Sequence, residues 1–322
     1  MKTSLSAEFF RAENIPDGIR KFNQALIEKG ASASPFHQLL YLPVPEFRDL
    51  YVSTPTLSSP TQRFISGPDG VEIGLRLFTP PCIQGVFLFI HGGGWVAGGA
   101  ALQDEFLDFI AREVNLAIVS VEYRLAPEYP HPIPLDDCEM AAVWLIEEGK
   151  KEFGTDRFFI GGSSAGAHLA VLTLLRLKVK NLLPSFKAAC LINGLYDLQM
   201  TPSARNWGKS ELILSTPIIK KCIDYYLPTN MNRSDPTISP LYADLTGMPR
   251  ALFLSGTADP LLDDTLFMFM RWISSGSEAE LALFPGGIHG FASTTMMTPQ
   301  TEQGRKRIVE FFHDALSNPG FY

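Results

Sequence analysis

Gly162-Ser163-Ser164-Ala165-Gly166 stands between a short apolar run, residues 157–160, and a helical pattern, residues 167–177. The run reads as a buried strand, so the pentapeptide is a strand-to-helix turn. Glycines at both edges permit a tight turn, which lifts the middle serine above a sheet and lets a carbonyl approach the backbone. The pattern G-x-S-x-G occurs by chance in many proteins; its placement here gives it force. Its rival reading is a Gly/Ser-rich phosphate-binding turn, but the chain holds neither G-x-x-x-x-G-K-[ST] nor the usual dinucleotide pattern. Ser164 is therefore the expected nucleophile, since the turn aims it, and not Ser163, at the crevice.

Outward from this turn, short apolar runs recur at residues 86–90, 116–121, 188–192, 251–254 and 281–284. Residues 62–66 and 72–78 flank Gly67-Pro68-Asp69-Gly70, a hairpin signal. Helical patterns lie between them at 102–114, 134–148, 262–273 and 303–316. Buried strands alternating with helices predict an α/β chain with a mostly parallel sheet covered on both faces. Residues 1 to about 50 have another texture, with one helix at 17–29 and then a proline-rich stretch. Residues 197–248 also break the rhythm, with a helix expected at 218–226. Both segments carry apolar residues that need a partner, so they are read as a joint helical cap; two independent surface excursions are the alternative. The expected division is a cap segment at 1–55 and a catalytic domain at 56–322, with 198–247 contributing to the cap.

The 322 residues, 46% hydrophobic and 19% charged, suffice for a large core. A net charge of -7 without a long basic block makes nucleic acid a poor partner. Residues 1–10 lack the apolar run of an export signal, and no stretch reaches membrane-spanning length, so stable membrane insertion is not expected. Cys82, Cys138, Cys190 and Cys222 form no CxxC pair, which makes a reduced cytoplasmic compartment the default.

His91-Gly92-Gly93-Gly94-Trp95 follows the run 86–90. Acyl transfer creates an oxyanion that needs preorganised donors, and a glycine run exposes backbone N–H groups without Cβ atoms in the way. Gly92 and Gly93 are the expected donors, with the Ala165 N–H as a third; a merely flexible glycine loop is the plainer reading. A serine hydroxyl also needs an oriented base. Of the six histidines, His289, in Gly286-Gly287-Ile288-His289-Gly290-Phe291, has the late position and the loop to reach the crevice. His131 and His313 fit surface or helix positions, His37 precedes the core, and His168 is expected to point along the helix after Ser164. Asp259, after the run 251–254, is the preferred acid. Asp263 and Asp264 compete, but their place at a helix start suits capping, and Asp197 is expected to fix the entry into the cap.

HGGGW at 91–95, EYRLAPEYPHP at 122–132, GSSAGAHLA at 162–170, ADPLLDD at 258–264 and HGF at 289–291 together resemble the bacterial hormone-sensitive-lipase-like esterase family of the α/β-hydrolase superfamily. The resemblance implies an eight-stranded, mostly parallel sheet, a helical cap and hydrolysis of small or medium-chain carboxylic esters by a serine carboxylesterase. It assigns Ser164, Asp259 and His289 to the triad and Gly92, Gly93 and Ala165 to the oxyanion hole. His91 and Glu128 become supporting residues, Glu128 organising loops near the hole, and a homodimer is permitted. Ser163 departs from the family, where many relatives carry an acidic residue. The GAH portion resembles formamidases and sugar-ester deacetylases on the same fold, which leaves amide and sugar-acetate cleavage open. A non-catalytic ligand-binding protein on the same scaffold is opposed by the retained His289. No metal or organic cofactor is required by this chemistry. Trp95, Trp207 and Phe291 are candidate apolar walls of the substrate pocket, with simple packing as the rival role for each; Phe9, Phe10 and Phe22 are weaker contributors.

Overall fold

The computed structural model describes residues 6–30, 35–51, 57, 60–209, 212–294 and 298–318. Strands β1 (Thr61–Ser66) and β2 (Glu72–Phe78) pair antiparallel, closed by a 2.7 Å bond from the Gly67 N–H to the Val71 carbonyl. They are followed by β3 (Gly85–Ile90), β4 (Leu116–Glu122), β5 (Phe158–Ser163), β6 (Phe186–Ile192), β7 (Arg250–Ala258) and β8 (Ala279–Ile288). The eight strands form one sheet in the order β1-β2-β4-β3-β5-β6-β7-β8. β2 meets β4 antiparallel, and every pairing from β4 onward is parallel.

The near-continuous apolar strands are buried on both faces. On β3, Val86, Leu88 and Ile90 face a core shared with α4 (Ile133–Phe153), α5 (Ala165–Val179) and α8 (Leu262–Ser274). Phe87 and Phe89 face the opposite core, built with α3 (Asp104–Val114) and α9 (Pro299–Ser317). There Phe87 packs on Phe312 with ring centroids 4.8 Å apart. Each such fully buried side chain contributes roughly 1.5–3 kcal/mol. The helical stripe Phe106, Leu107, Ile110, Ala111 and Val114 gives α3 one buried face. α5 is buried almost all round because it lies between the sheet and α4.

Two strands outrun their apolar runs. β5 continues through Gly161 and Gly162 to Ser163, and β8 continues through Gly286 and Gly287 to Ile288. The glycines that read as loop are thus strand residues, and His289 begins directly at the strand end.

A helical cap lies over the sheet. α2 (Val44–Leu50), the 3-10 turn Pro35–Leu40 and α7 (Thr216–Tyr226) pack together, with Phe36, Phe47, Ile218 and Cys222 in one apolar cluster. The Phe36 and Phe47 rings meet edge-on at 5.4 Å. α1 (Asp17–Lys29) lies instead along β8, where Asn23 Nδ2 donates to the Gly286 carbonyl at 2.8 Å. Short α6 (Pro202–Asn206) packs between α7 and α8. Residues 91–95, 164, 259 and 289 all follow the carboxyl ends of parallel strands, where open α/β sheets place their ligand crevices.

Candidate active site

Ser164 sits between β5 and α5 with φ 58° and ψ -121°, a conformation a serine adopts only when its surroundings impose it. Those surroundings are visible. Its N–H bonds to the Ile192 carbonyl at 2.8 Å. A Cβ on Gly166 would overlap the Ile90 carbonyl oxygen, so only glycine lets α5 start this close to β3. The positive end of α5 begins beside the hydroxyl, where negative charge is favoured.

His289 Nε2 lies 2.9 Å from Ser164 Oγ, and His289 Nδ1 lies 3.1 and 3.0 Å from the two Asp259 carboxylate oxygens. A carboxylate accepts, so Nδ1 carries the proton and Nε2 is left bare toward the serine O–H. Asp259 is fully buried and accepts two further bonds, from the Leu261 N–H at 2.9 Å and from Asn193 Nδ2. Ser164, His289 and Asp259 thus form one connected chain of hydrogen bonds, ordered as a general-base relay requires. Asp263 and Asp264 stand outside it. They do not serve as simple helix caps: Asp264 accepts from the Tyr196 and Asp197 N–H groups and from Thr201 Oγ1, and Asp263 accepts from the Ser203 N–H. Both fasten the start of α8 to the chain after β6. Asp197 accepts from Tyr242 Oη at 3.0 Å and from the Gln199 N–H at 2.8 Å, at the start of the inserted segment.

The glycine loop is held against this elbow. A Cβ on Gly92 would lie 2.9 Å from the Ser163 carbonyl oxygen and 3.3 Å from Ser164 Cβ. Gly93 and Gly94 have φ 111° and 60°, and Trp95 follows at φ 63°. For a bulky residue this costs roughly 1–3 kcal/mol. The Gly93 carbonyl accepts from the Val96 and Ala97 N–H groups at 3.1 and 3.0 Å, closing the turn. His91 turns inward: Nδ1 donates to the Gly92 carbonyl at 2.7 Å, and its ring stacks on Tyr123 at 4.1 Å. Burial drives its pKa down to about 4, so it braces the loop as a neutral ring. Tyr123 Oη donates to the His91 carbonyl at 3.1 Å.

Glu128 acts on the loop at one remove. It is paired with Arg48 of α2, whose NH2 lies 2.7 Å from Oε2. The same guanidinium donates to the Val96 and Ala126 carbonyls, both at 2.7 Å. Arg48 is therefore the residue that joins α2, the glycine loop and the segment around Glu128.

Ser164, His289, Gly92, Gly93 and Ala165 line one cavity of about 420 Å³. Phe36, Leu50, Leu214, Ile219 and Leu261 supply its apolar wall, and Gln103, Ser293 and Thr294 its polar positions. Among the described lining residues, no Asp, Glu, Lys or Arg appears. Burial raises the Tyr51 hydroxyl and the Cys222 thiol to about 12, so both stay uncharged. Trp95 is among the lining residues, although it is buried against Tyr226, whereas Trp207 and Phe291 are not. Phe291 is buried against Phe284 at 5.1 Å, in the core beneath His289, because the tight turn at Gly290 directs it inward. Trp207 follows α6 and packs on the same core cluster as α3 and α9. Phe22 packs there as well, while Phe9 and Phe10 are exposed.

Asn193, Arg48 and Tyr226 were not singled out from the sequence, and His168 and His131 lie elsewhere than expected. Asn193 was legible only as the residue after the run 188–192, the strand end where α/β sheets place functional groups. His168 is wholly buried, bonded on both ring nitrogens. His131 is also buried, with Nδ1 3.2 Å from Tyr226 Oη, and not a surface histidine. His313 is exposed on α9. Ser163 Oγ lies 3.1 Å from Ser293 Oγ, linking the elbow to the loop after His289. Among the described residues no group of three His, Cys, Asp or Glu is placed to hold a metal ion, and no helix is long and apolar enough to cross a membrane.

The chain belongs to the alpha/beta hydrolase fold family, which it matches over residues 87–293. Within that family it is 30% identical over 262 residues to the carboxylesterase NlhH of Mycobacterium tuberculosis, covering 78% of this chain and 81% of that one. It is 28% identical over 257 residues to the ethyl acetate hydrolase of Pseudomonas putida, covering 77% and 80%. Among solved structures, the ester hydrolase EH1AB1 from the metagenome of Lake Arreo, complexed with a bipyridine phosphonate derivative, superposes with a TM-score of 0.83. That match has 25% identity and covers 94% of this chain and all of that one.

Proposed function

We propose that the protein hydrolyses small or medium-chain, uncharged carboxylic esters through a Ser164 acyl-enzyme. That it is a carboxylesterase-type hydrolase is supported by its family and by esterase relatives spanning most of its length. The observation that carries the residue assignment is the unbroken chain Ser164 Oγ, His289 Nε2, His289 Nδ1, Asp259 beside a cavity whose described lining is largely apolar and holds no Asp, Glu, Lys or Arg.

In this reading His289 Nε2 takes the Ser164 proton as Oγ attacks the ester carbonyl. Asp259 holds the ring in that tautomer and stabilises the imidazolium. The N–H groups of Gly92, Gly93 and Ala165 receive the oxyanion, and Gly92 stands against the Ser164 side chain as that role requires. Protonated His289 hands its proton to the departing alkoxide. Water then repeats the sequence on the acyl-enzyme and releases the acid. Among its described residues the cavity wall holds no cation for a carboxylate and no anion for an ammonium group, which supports the preference for an uncharged substrate.

The motifs at 91–95, 122–132, 162–170 and 289–291 support assignment to the hormone-sensitive-lipase-like branch of the family, and the segments 1–55 and 198–247 are taken as its cap except for α1, which lies along β8. Unpaired Cys82, Cys138, Cys190 and Cys222 support a cytoplasmic setting, and a homodimer is the assembly this branch permits. A matched panel of acyl esters, sugar acetates and aryl formamides, ranked by kcat/KM, tests the reading. Esters should lead, and Ser164→Ala should lower turnover by about four orders of magnitude or more without loss of fold. Higher efficiency on formamides would reverse the assignment, and an idle wild type would end it.

A further inference from the structure

Trp95 closes the glycine loop in a backbone conformation that its own side chain disfavours, so something outside the loop must hold it there. Its indole is 1% exposed and lies flat on Tyr226 of α7, with ring centroids 4.5 Å apart and planes 14° apart. Its only polar atom, Nε1, donates to His168 Nδ1 at 3.3 Å. His168 Nε2 in turn lies 2.7 Å from the Ile238 carbonyl oxygen, which can only accept. The ring must therefore carry its proton on Nε2 and present a bare Nδ1 to the indole. One tautomer satisfies both contacts.

His168 stands four residues after Ser164 on α5, so the helix that places the nucleophile also places this acceptor. The Trp95 backbone is bound as well, its carbonyl accepting from the Ala126 N–H at 2.9 Å. Two residues before Trp95, Gly93 closes the turn onto Val96 and Ala97. We propose that His168 is a positioning residue for the oxyanion site: by accepting the Trp95 indole N–H, it fixes the turn at residues 93–95 relative to Ser164 and so aims the Gly92 and Gly93 N–H groups. The inference rests on the ester-hydrolase reading above. It assigns the GAH portion of GSSAGAHLA a role in loop geometry, with the inserted segment contributing through Tyr226 and the Ile238 carbonyl.

Donors to an oxyanion act chiefly in the transition state, so misaiming them lowers kcat and spares KM. Trp95→Phe keeps an aromatic face for Tyr226 and removes the N–H. His168→Leu removes the acceptor, and His168→Gln retains one donor and one acceptor. Turnover of p-nitrophenyl butyrate is measured per active site, counted by titration with a p-nitrophenyl alkylphosphonate. Trp95→Phe and His168→Leu should each lower kcat by roughly tenfold or more with KM within about twofold. The double variant should be no slower than the worse single one, and His168→Gln should recover most of the loss. Unchanged kcat per titrated site in Trp95→Phe, or a loss expressed as raised KM, overturns the proposal even if His168→Leu fails to fold. Turnover retained by Ser164→Ala would overturn the hydrolase reading and this proposal with it.

Discussion

The Asn193 side-chain amide donates from Nδ2 to Asp259 Oδ2, on the carboxylate that holds His289 Nδ1. Asn193 also reaches Ser255 Oγ at 3.3 Å and has φ 50°, a left-handed conformation that asparagine tolerates better than most residues. The carboxylate is thus gripped from β6, from its own turn and from His289. Asn193→Ala should lower kcat by between about tenfold and a hundredfold, because the carboxylate can then swing away from the imidazole. Asn193→Asp brings two carboxyl groups into contact, which must share a proton, so a donor to Asp259 returns and part of the lost kcat should be recovered. Unchanged kcat in Asn193→Ala refutes the coupling.

The nucleophile turn depends on a missing side chain. Gly166→Ala should push α5 away from β3 and cost more than about 2 kcal/mol, in the class of overpacked core substitutions. Urea unfolding reports the stability, and phosphonate titration reports whether Ser164 still reacts. A variant stable to within half a kilocalorie with full reactivity would show that the turn has slack.

Asp264 gives stability a pH dependence. Burial raises its pKa to about 7, against the pull of Thr201 and two backbone donors. The folded chain therefore keeps this proton where the unfolded chain has lost it. The resulting stability is complete below the ordinary carboxylate range and is lost as pH rises through about 7. Asp264→Asn, with its amide turned to donate to Thr201, lacks that slope. Wild-type stability should fall relative to the variant between pH 4 and pH 7, by at most about 1.4 kcal/mol per pH unit. Parallel curves across that range would sink the idea.

Arg48 and Glu128 should separate when each is changed. Their ion pair is partly exposed, so Glu128→Gln should cost under about 1 kcal/mol and less still at high salt. Arg48→Met also strips the donors from the Val96 and Ala126 carbonyls and should destabilise more, with a fall in kcat. Equal losses in the two variants, followed by thermal unfolding and turnover, would mean that the ion pair alone carries the effect.

Sequence pattern predicted the layered sheet and singled out Ser164, Asp259 and His289 as candidates, because strand runs and glycine turns are encoded locally. Period and apolar runs mark buried strands, and glycine spacing marks the turn at Ser164. The same pattern misjudged where β5 and β8 end, since glycine reads as loop until a neighbouring strand supplies the ladder. It left Phe291 and Trp207 open between pocket wall and simple packing, because the side on which an aromatic ring lands depends on one turn, such as that at Gly290; both pack. Only the tertiary structure joined Asn193 to Asp259, His168 to Trp95, and Arg48 to Val96, for these contacts span tens of residues and depend on buried distance alone. The sequence by itself determined that Ser164 stands on a strand-to-helix turn with His289 and Asp259 late in the chain. The packing of strand ends against one another decided that they meet, because hydrogen bonds form between positions in space and not between positions in a sequence.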